Sequence, residues 1–358
     1  MASISKSHER SEPGLDVLRA VAVLMMFAVH VRRIQLPTSR SGVGSAEAAL
    51  DFFMRVEPFI TSLFLFVAGY SVVLAFAASS NPALWWRKAL RRGAQLYALS
   101  IGLFVLQYGI GLPDLLLSSG ILQVIALSML IVGVCLCRSA PEPWLVGVSA
   151  LGLLVTFALE AWGKSVSGVN AGPGGSVPLV AHATFGAIVA RGVLRDRRGT
   201  LWRLTLLTAI VSGLALWIDG DFTTTHASQY RDLKGESFVT AVVSGRWQTA
   251  PLAVVHFWNH STRGAAALFG PMVALLGFFL MVPMRFFLGR STLALRLVGR
   301  HALFVYVFHL CALGILDALG LVPESAWASW GFVLALFAVG TLLSAALERF
   351  PGRPSAAE

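Results

Sequence analysis

The chain has 358 residues, of which 56% are hydrophobic and only 13% are charged, and its mean hydropathy is +0.73. Because a soluble domain carries about 25% charged residues, this composition excludes an ordinary soluble globular protein. The net charge of +10 does not indicate nucleic-acid binding, since the basic residues cluster at the ends of apolar segments.

Ten apolar segments, bounded by Gly, Pro or charged residues, predict membrane-spanning helices. In chain order they lie near residues 15–31, 58–79, 93–111, 117–137, 143–162, 177–193, 202–218, 264–284, 301–320 and 327–347. The sequence therefore predicts an all-α, polytopic transmembrane helix bundle. Residues 15–347 form one domain in this prediction, between short tails at 1–14 and 348–358.

The distribution of basic residues predicts the orientation of this bundle. With ten spans, 19 of the 28 Lys and Arg residues fall on the side that holds the N-terminus, and the other nine fall on the opposite side. Cytoplasmic loops carry the excess of Lys and Arg, so both termini are expected in the cytoplasm. We expect a multi-pass protein of the cell (inner or plasma) membrane, and no cleavage-site pattern follows its first apolar segment.

Two longer polar segments are predicted on the outer side. Segment 32–57 contains "SAEAALDFFMRVEP", in which acidic and apolar residues alternate at helical spacing, and this pattern favours an interfacial or re-entrant helix. Segment 219–263 is the longest loop and is rich in His, Asp, Thr and Trp, which is typical of a functional loop. Segment 163–176 is expected to be a flexible outer connection.

The first predicted helix, "LDVLRAVAVLMMFAVH", carries charged and polar residues that lipid does not normally tolerate. Arg19 and His30 are 11 residues apart, so they share one helix face and lie about 16 Å apart along the axis. Asp16, three residues before Arg19, is placed to pair with it. Considered alone, Arg19 could simply extend to the lipid headgroups, and His30 could simply cap the outer end of the helix. Together they indicate a polar channel, in which a guanidinium suits a phosphate-bearing donor and an imidazole suits a general base.

Four motifs resemble the membrane-bound acyltransferase 3 family, within the transmembrane acyltransferase superfamily. They are the spacing of Arg19 and His30, "LFLFVAGY" at Leu63–Tyr70, "WWRKALRRGAQLY", and "GRHALFVYVFH" at Gly299–His309. The second motif has Ala68 where serine is usual, and the fourth departs from the family pattern at Ala302 and Leu303. The stretch "SGILQVIALSMLIVGV" resembles a related group, the heparan-α-glucosaminide N-acetyltransferase-like proteins. The "HASWNG" motif that carries that group's catalytic histidine is absent.

The resemblance implies an integral-membrane acyltransferase that uses acyl-CoA, with acetyl-CoA as the expected donor. The phosphates of this donor would bind Arg19 and the basic cluster of Arg87, Lys88, Arg91 and Arg92. That cluster also suits a simple positive-inside signal. His30 would act as a base or carry the acyl group. The acceptor would be a hydroxyl or an amine of an extracytoplasmic glycan or lipid-linked sugar.

Other polar residues are candidates for the same site. Glu57 is placed to orient His30, or serves only as a helix N-terminal charge; Asp51 is a further candidate, for this role or for binding the acceptor. Tyr306 and His309 share one face of a helix, as candidate acceptor-binding and catalytic residues, or His309 is a satisfied core residue. Trp258 and His260 suit a sugar ring by stacking and hydrogen bonding, or belong to an interfacial aromatic belt.

Two alternative functions stay open on the sequence alone. The first is a transporter or proton-coupled carrier lined by the same polar residues, against which stands the lack of visible internal repeat symmetry. The second is an inactive acyltransferase-like scaffold, which the departures at Ala68 and Ala302 keep open. The sequence shows no convincing group of metal ligands, because the histidines are scattered.

Overall fold

The computed structural model describes residues 12–35, 44–108, 114–164, 166, 168–170, 175–219 and 262–349. These residues form helices and no strand, as the apolar pattern predicts. The helices are α1 (Pro13–Gln35), α2 (Ser45–Arg55), α3 (Glu57–Ala78), α4 (Pro82–Tyr108), α5 (Asp114–Leu117), α6 (Ile121–Leu136), α7 (Pro141–Ala161), α8 (Ser176–Arg195), α9 (Arg197–Asp219), α10 (Thr262–Met281), α11 (Met284–Phe287), α12 (Leu293–Arg300), α13 (Ala302–Ala318) and α14 (Ala326–Arg349).

Each of the ten predicted segments coincides with one of these helices. Seven helices are long and apolar enough to cross a membrane, namely α1, α3, α7, α8, α9, α10 and α14. An eighth span results if the bent pair Arg290–Arg300 and Ala302–Ala318 counts as one. Helix α4 carries basic residues in its first half, and α6 has only 16 residues. The all-helical fold with several candidate spans is confirmed, while the count of ten and the cytoplasmic placement of both termini stay predictions.

Contacts between helix ends follow the alternating order of the predicted spans. We call the side on which α1 begins the N-terminal side. Ion pairs on that side join helix ends that the prediction places together: Glu12–Arg197, Glu142–Arg191 and Arg300–Glu348. On the opposite side, the N–H of Thr262 donates to Glu160, and the indole of Trp330 donates to the carbonyl of Ala46. Successive long helices therefore run antiparallel.

Helices α3 and α8 pack with their backbones in close contact in the centre of the bundle. A Cβ at Gly69 would overlap the backbone carbonyl of Ala183, and a Cβ at Gly186 would overlap that of Phe66. Small residues allow such an approach, on which helix association in membranes depends because burial from water contributes little there. Gly69 belongs to the "LFLFVAGY" motif, so one part of that motif has a packing role.

Helix α10 contains a proline, and neighbouring helices supply hydrogen bonds beside it. The hydroxyl of Ser212 on α9 accepts from the N–H of Gly270 at 2.9 Å and donates to the carbonyl of Ala266 at 3.4 Å. It thus bridges two groups that a regular α-helix joins directly. Pro271 follows immediately and lacks an N–H, so the helix needs such partners from neighbouring helices where water is absent.

Ser212→Ala is expected to lower the free energy of unfolding by about 1–2 kcal/mol, because it removes two hydrogen bonds from α10. Ser344→Ala is the matched control, since this hydroxyl is also buried but donates only within its own helix, to Gly340. Thermal unfolding in detergent measures both variants. Equal losses of stability would contradict a specific role for Ser212 beside the proline.

The connection from α7 to α8, predicted as flexible, is folded where the structure describes it. The backbone N–H groups of Ser176 and Val177 donate to the carbonyls of Gly168 and Val169. The side chain of Asn170 is buried and bonds the backbone of Val166 and Lys164. Gly168 has a φ of +76° and lies against Leu117 of α5, so this position requires glycine both for its backbone conformation and for space.

Candidate active site

Two histidines from opposite ends of the chain meet between α1 and α13. Nδ1 of His30 lies 2.8 Å from Nε2 of His309, and the two rings stack with centroids 5.1 Å apart. One of these nitrogens donates the shared hydrogen and the other accepts it. His309 is completely buried, whereas His30 is only half-buried. Of the two imidazoles, His30 is therefore the one that a substrate can reach.

Aromatic side chains enclose the buried member of this pair. The ring of Phe27 lies 4.6 Å from that of His309, and the ring of Tyr306 lies 5.1 Å away, centroid to centroid. Within the part of the chain that the structure describes, Nδ1 of His309 has no hydrogen-bond partner. The side-chain hydrogen bond of His309 is therefore made to His30, and the aromatic rings hold the imidazole in place for it.

Glu57 begins α3 at the same end of the bundle. Its carboxylate is buried, which is unusual for a residue at a helix start. Its neighbours Val56 and Ile60 pack in one apolar cluster with Val29 of α1 and with Tyr306. The fold therefore brings Glu57 to the region of the histidine pair, as its position before the second span predicts.

Asp51 forms an ion pair that the sequence analysis did not anticipate. Its Oδ1 accepts from Nε of Arg32 at 2.8 Å, and Nη2 of Arg32 lies at the same distance. Arg32 is buried, while Asp51 is half-exposed on α2. This pair fastens α2 to α1 two residues beyond His30, so Asp51 has a structural contact in addition to its predicted role. The pairing partner was missed because nothing distinguishes Arg32 from Arg33 in the sequence.

A second polar cluster lies towards the start of α1, on the N-terminal side. Nη1 of Arg19 lies 3.0 Å from Oδ1 of Asp16, as the spacing of three residues predicts, and its Nη2 donates to the hydroxyl of Ser71 at 2.6 Å. Nε of Arg300 lies 3.5 Å from the other oxygen of Asp16. Asp16 is buried, and the side chain of Arg19 retains 26% exposure. The guanidinium is thus held in one orientation and remains accessible.

The basic cluster of α4 is exposed. All four of its residues, Arg87, Lys88, Arg91 and Arg92, are exposed, and none forms an ion pair with a carboxylate among the described residues. Helix α4 packs against α6, where Gly133 leaves room for the rings of Trp85 and Trp86. Among the described residues, Arg19 forms no hydrogen bond or ion pair with these four residues.

A buried hydrogen-bond network joins α4 to the start of α6, inside the "SGILQ" stretch. Ser119 donates to the side-chain oxygen of Gln123 through both its N–H and its hydroxyl, at 2.6 and 2.9 Å. The hydroxyl of Ser100 donates to the carbonyl of Ser119 at 3.0 Å. Gly120, with a φ of +120°, makes the turn between them possible. The polar groups of these residues form hydrogen bonds with one another, so we interpret the network as structural.

Two predicted site residues, Trp258 and His260, lie outside the described residues. His182, the other buried histidine among the described residues, donates from Nε2 to the carbonyl of Ala265 at 3.1 Å and packs inside the bundle. Within the described ranges, no group of three or more His, Cys, Asp or Glu residues has the arrangement of a metal site.

The chain is similar to one known family over part of its length. Residues 12–169 match the family model described as heparan-alpha-glucosaminide N-acetyltransferase, catalytic. The match supports the second of the two resemblances noted in the sequence, and it includes Arg19, His30, Asp51, Glu57 and the basic cluster of α4. It ends before α8 and does not include His309. A comparison with curated proteins finds no match.

Proposed function

We propose that this protein is an integral-membrane acyltransferase that moves an acyl group, with acetyl as the expected one, from acyl-CoA to a hydroxyl or an amine. The observation that carries the proposal is the half-buried imidazole of His30, held at 2.8 Å by the buried imidazole of His309. The similarity of residues 12–169 to an N-acetyltransferase catalytic region supports the same reaction class.

In the proposed reaction, the acceptor oxygen or nitrogen attacks the thioester carbonyl, and His30 removes the proton from that oxygen or nitrogen. The bond between the carbonyl carbon and sulfur then breaks, and the departing sulfur receives the proton from His30. His309 does not touch the substrates and acts as a positioning residue that fixes the orientation of the His30 ring. Glu57, at the start of α3, helps to orient His30. Tyr306 lies beside His309 and contacts the acceptor.

The donor is proposed to enter from the cytoplasmic side and to place a phosphate on Arg19. A guanidinium binds phosphate oxygens through two parallel hydrogen bonds, and Asp16 and Ser71 hold the Arg19 side chain ready for that contact. Arg87, Lys88, Arg91 and Arg92 contribute a more distant attraction for the several phosphates of coenzyme A. The acceptor, proposed as an extracytoplasmic glycan or lipid-linked sugar, binds from the opposite side near Asp51, Trp258 and His260.

The reaction class is tested with the full-length protein purified in detergent. Release of coenzyme A from acetyl-CoA is followed with and without sugar acceptors that carry free hydroxyl or amino groups, and the acylated product is identified by mass spectrometry. We expect release that depends on the acceptor. Binding of acetyl-CoA with no transfer to any acceptor, together with solute uptake by proteoliposomes, would contradict the proposal and favour a carrier.

Arg19→Ala is expected to weaken acetyl-CoA binding by about 10–100-fold, because a hydrogen bond to a charged group contributes about 1.5–3 kcal/mol. Arg19→Lys keeps the charge but not the two parallel hydrogen bonds, so an intermediate affinity is expected. Arg197→Ala is the control, since Arg197 is also paired with a carboxylate on the N-terminal side. Isothermal titration measures all three variants, and an unchanged affinity in Arg19→Ala would remove Arg19 from the donor site.

A further inference from the structure

A short segment between α10 and α12 combines exposed apolar and basic side chains. We call residues 283–296 the basic link; it contains α11, the 3-10 turn Arg290–Thr292 and the start of α12. Large apolar side chains of the link are about half exposed: Met284 55%, Phe286 59%, Leu288 53% and Leu293 47%. Arg285 and Arg290 are exposed between them, and Arg296 is half-buried. Exposure of several large apolar side chains to water is unfavourable, and an exposed apolar patch bordered by charged residues is typical of a membrane or protein contact.

The arginines of the link, like the cations of the α4 cluster, have no carboxylate partner among the described residues. Five arginines on that side do form such pairs: Arg19, Arg191, Arg195, Arg197 and Arg300. Nε of Arg296 is buried and has no acceptor in the described part of the chain, although its Nη2 reaches the carbonyl of Leu288 at 3.5 Å. Arg285 and Arg290 are exposed, so their guanidinium groups are the ones that an anion from outside the protein can reach.

The position of the link relative to the neighbouring helices places it at a membrane surface. The apolar span α10 ends at Met281, just before the link. Arg290–Arg300 and α13 meet at an angle of 78°, so a membrane-crossing α13 directs α12 along the surface rather than through the bilayer. The buried residues of α12 include Val298 and Gly299, and a Cβ at Gly299 would overlap the carbonyl of Asp16. The helix that continues the link is therefore anchored to α1, and Phe287 of the link is itself buried next to Gly14 of α1, while the apolar side chains named above remain exposed.

We propose that the basic link is a binding site for anionic phospholipid. Arg285, Arg290 and Arg296 bind the headgroup phosphates, and the exposed apolar side chains lie among the upper parts of the acyl chains. Charge favours this partner over a second copy of the chain. The sequence has 18 acidic against 28 basic residues, and Glu12, Asp16, Glu142 and Glu348 on this side are already paired.

The test measures lipid binding without acyl-CoA, so its outcome is independent of the proposed enzymatic function. Full-length protein in detergent is titrated with phosphatidylglycerol or with phosphatidylcholine, and native mass spectrometry gives the affinity for each. We expect a preference for phosphatidylglycerol. The double variant Arg285→Gln with Arg290→Gln should lose affinity for phosphatidylglycerol by more than about tenfold, because each basic residue near an anionic headgroup contributes roughly fivefold.

The matched control is Arg198→Gln with Arg203→Gln on α9. These residues are exposed, lie on the same side and form no ion pair with a described carboxylate. Both double variants remove two positive charges, so they have the same net charge. The control should retain the preference for phosphatidylglycerol, and Arg285→Lys with Arg290→Lys should retain most of it. An equal loss in the control, an unchanged preference in the glutamine variant, or a dimer that the glutamine variant dissociates would each overturn the proposal.

Discussion

Replacing His30 with glutamine is expected to reduce acyl transfer by about 10²–10⁴-fold, the contribution of a general base. Glutamine can form the hydrogen bond to His309 but cannot accept a proton at neutral pH, so the pair would keep its packing and lose its chemistry. Binding of acetyl-CoA should be unchanged, because Arg19 lies 11 residues away near the other end of α1. Transfer is measured with purified protein, and titration with acetyl-CoA confirms that the donor site is intact.

Two further histidine variants distinguish a catalytic pair from a structural one. His309→Gln should reduce transfer less than His30→Gln does, since an amide can still hold the His30 ring, whereas His309→Leu should reduce it further. His182→Gln is the control, because this histidine is also buried but bonds a backbone carbonyl on α10. A His30→Gln variant that keeps more than about a tenth of the parental rate would exclude general base catalysis by His30 and would make His309 the better candidate.

Gly69→Val is expected to lower the free energy of unfolding by about 3 kcal/mol, the upper end of the range for overpacking. The added side chain would overlap the backbone carbonyl of Ala183, and a backbone in a packed helix cannot turn aside as a flexible side chain can. Gly186→Val should cost a similar amount, because it meets the backbone of Phe66 in the same interface. Thermal unfolding and the yield of folded protein in detergent measure the loss.

Gly102→Val provides the control for the glycine variants. Gly102 is also within a helix, but a Cβ there would have no atom within 4 Å. Since glycine is a weak helix former, this substitution should leave stability unchanged or raise it slightly. A loss of stability in Gly69→Val no larger than that in Gly102→Val would contradict the proposed packing role of the close contact between α3 and α8.

The local parts of the site could be predicted from the sequence. Long apolar runs have few structural alternatives, so all ten predicted segments coincide with helices. Residues three apart meet on one face of a helix, and this rule alone predicted the contacts of Asp16 with Arg19 and of Tyr306 with His309.

Contacts between distant segments could not be predicted in the same way. His30 and His309 are separated by 279 positions, and no periodicity indicates which helices become neighbours. Ser71, Ser212 and Arg32 were missed for the same reason, because a serine or arginine at a helix surface has no sequence signal for its partner. The family motifs placed His309 among the candidates, but they did not indicate its hydrogen bond to His30.

The contacts of α1 with the α12–α13 unit have a consequence for the size of the donor. Asp16 contacts Arg300 at one end, and His30 contacts His309 at the other, so α1 cannot slide along its neighbour without breaking both contacts. Within α1 the helix rise keeps Arg19 and His30 about 16 Å apart along the axis, and the two contacts keep both residues in register with the neighbouring helices. If the proposed function is correct, this fixed distance selects donors by the length between their phosphate and their thioester, whatever acyl group they carry.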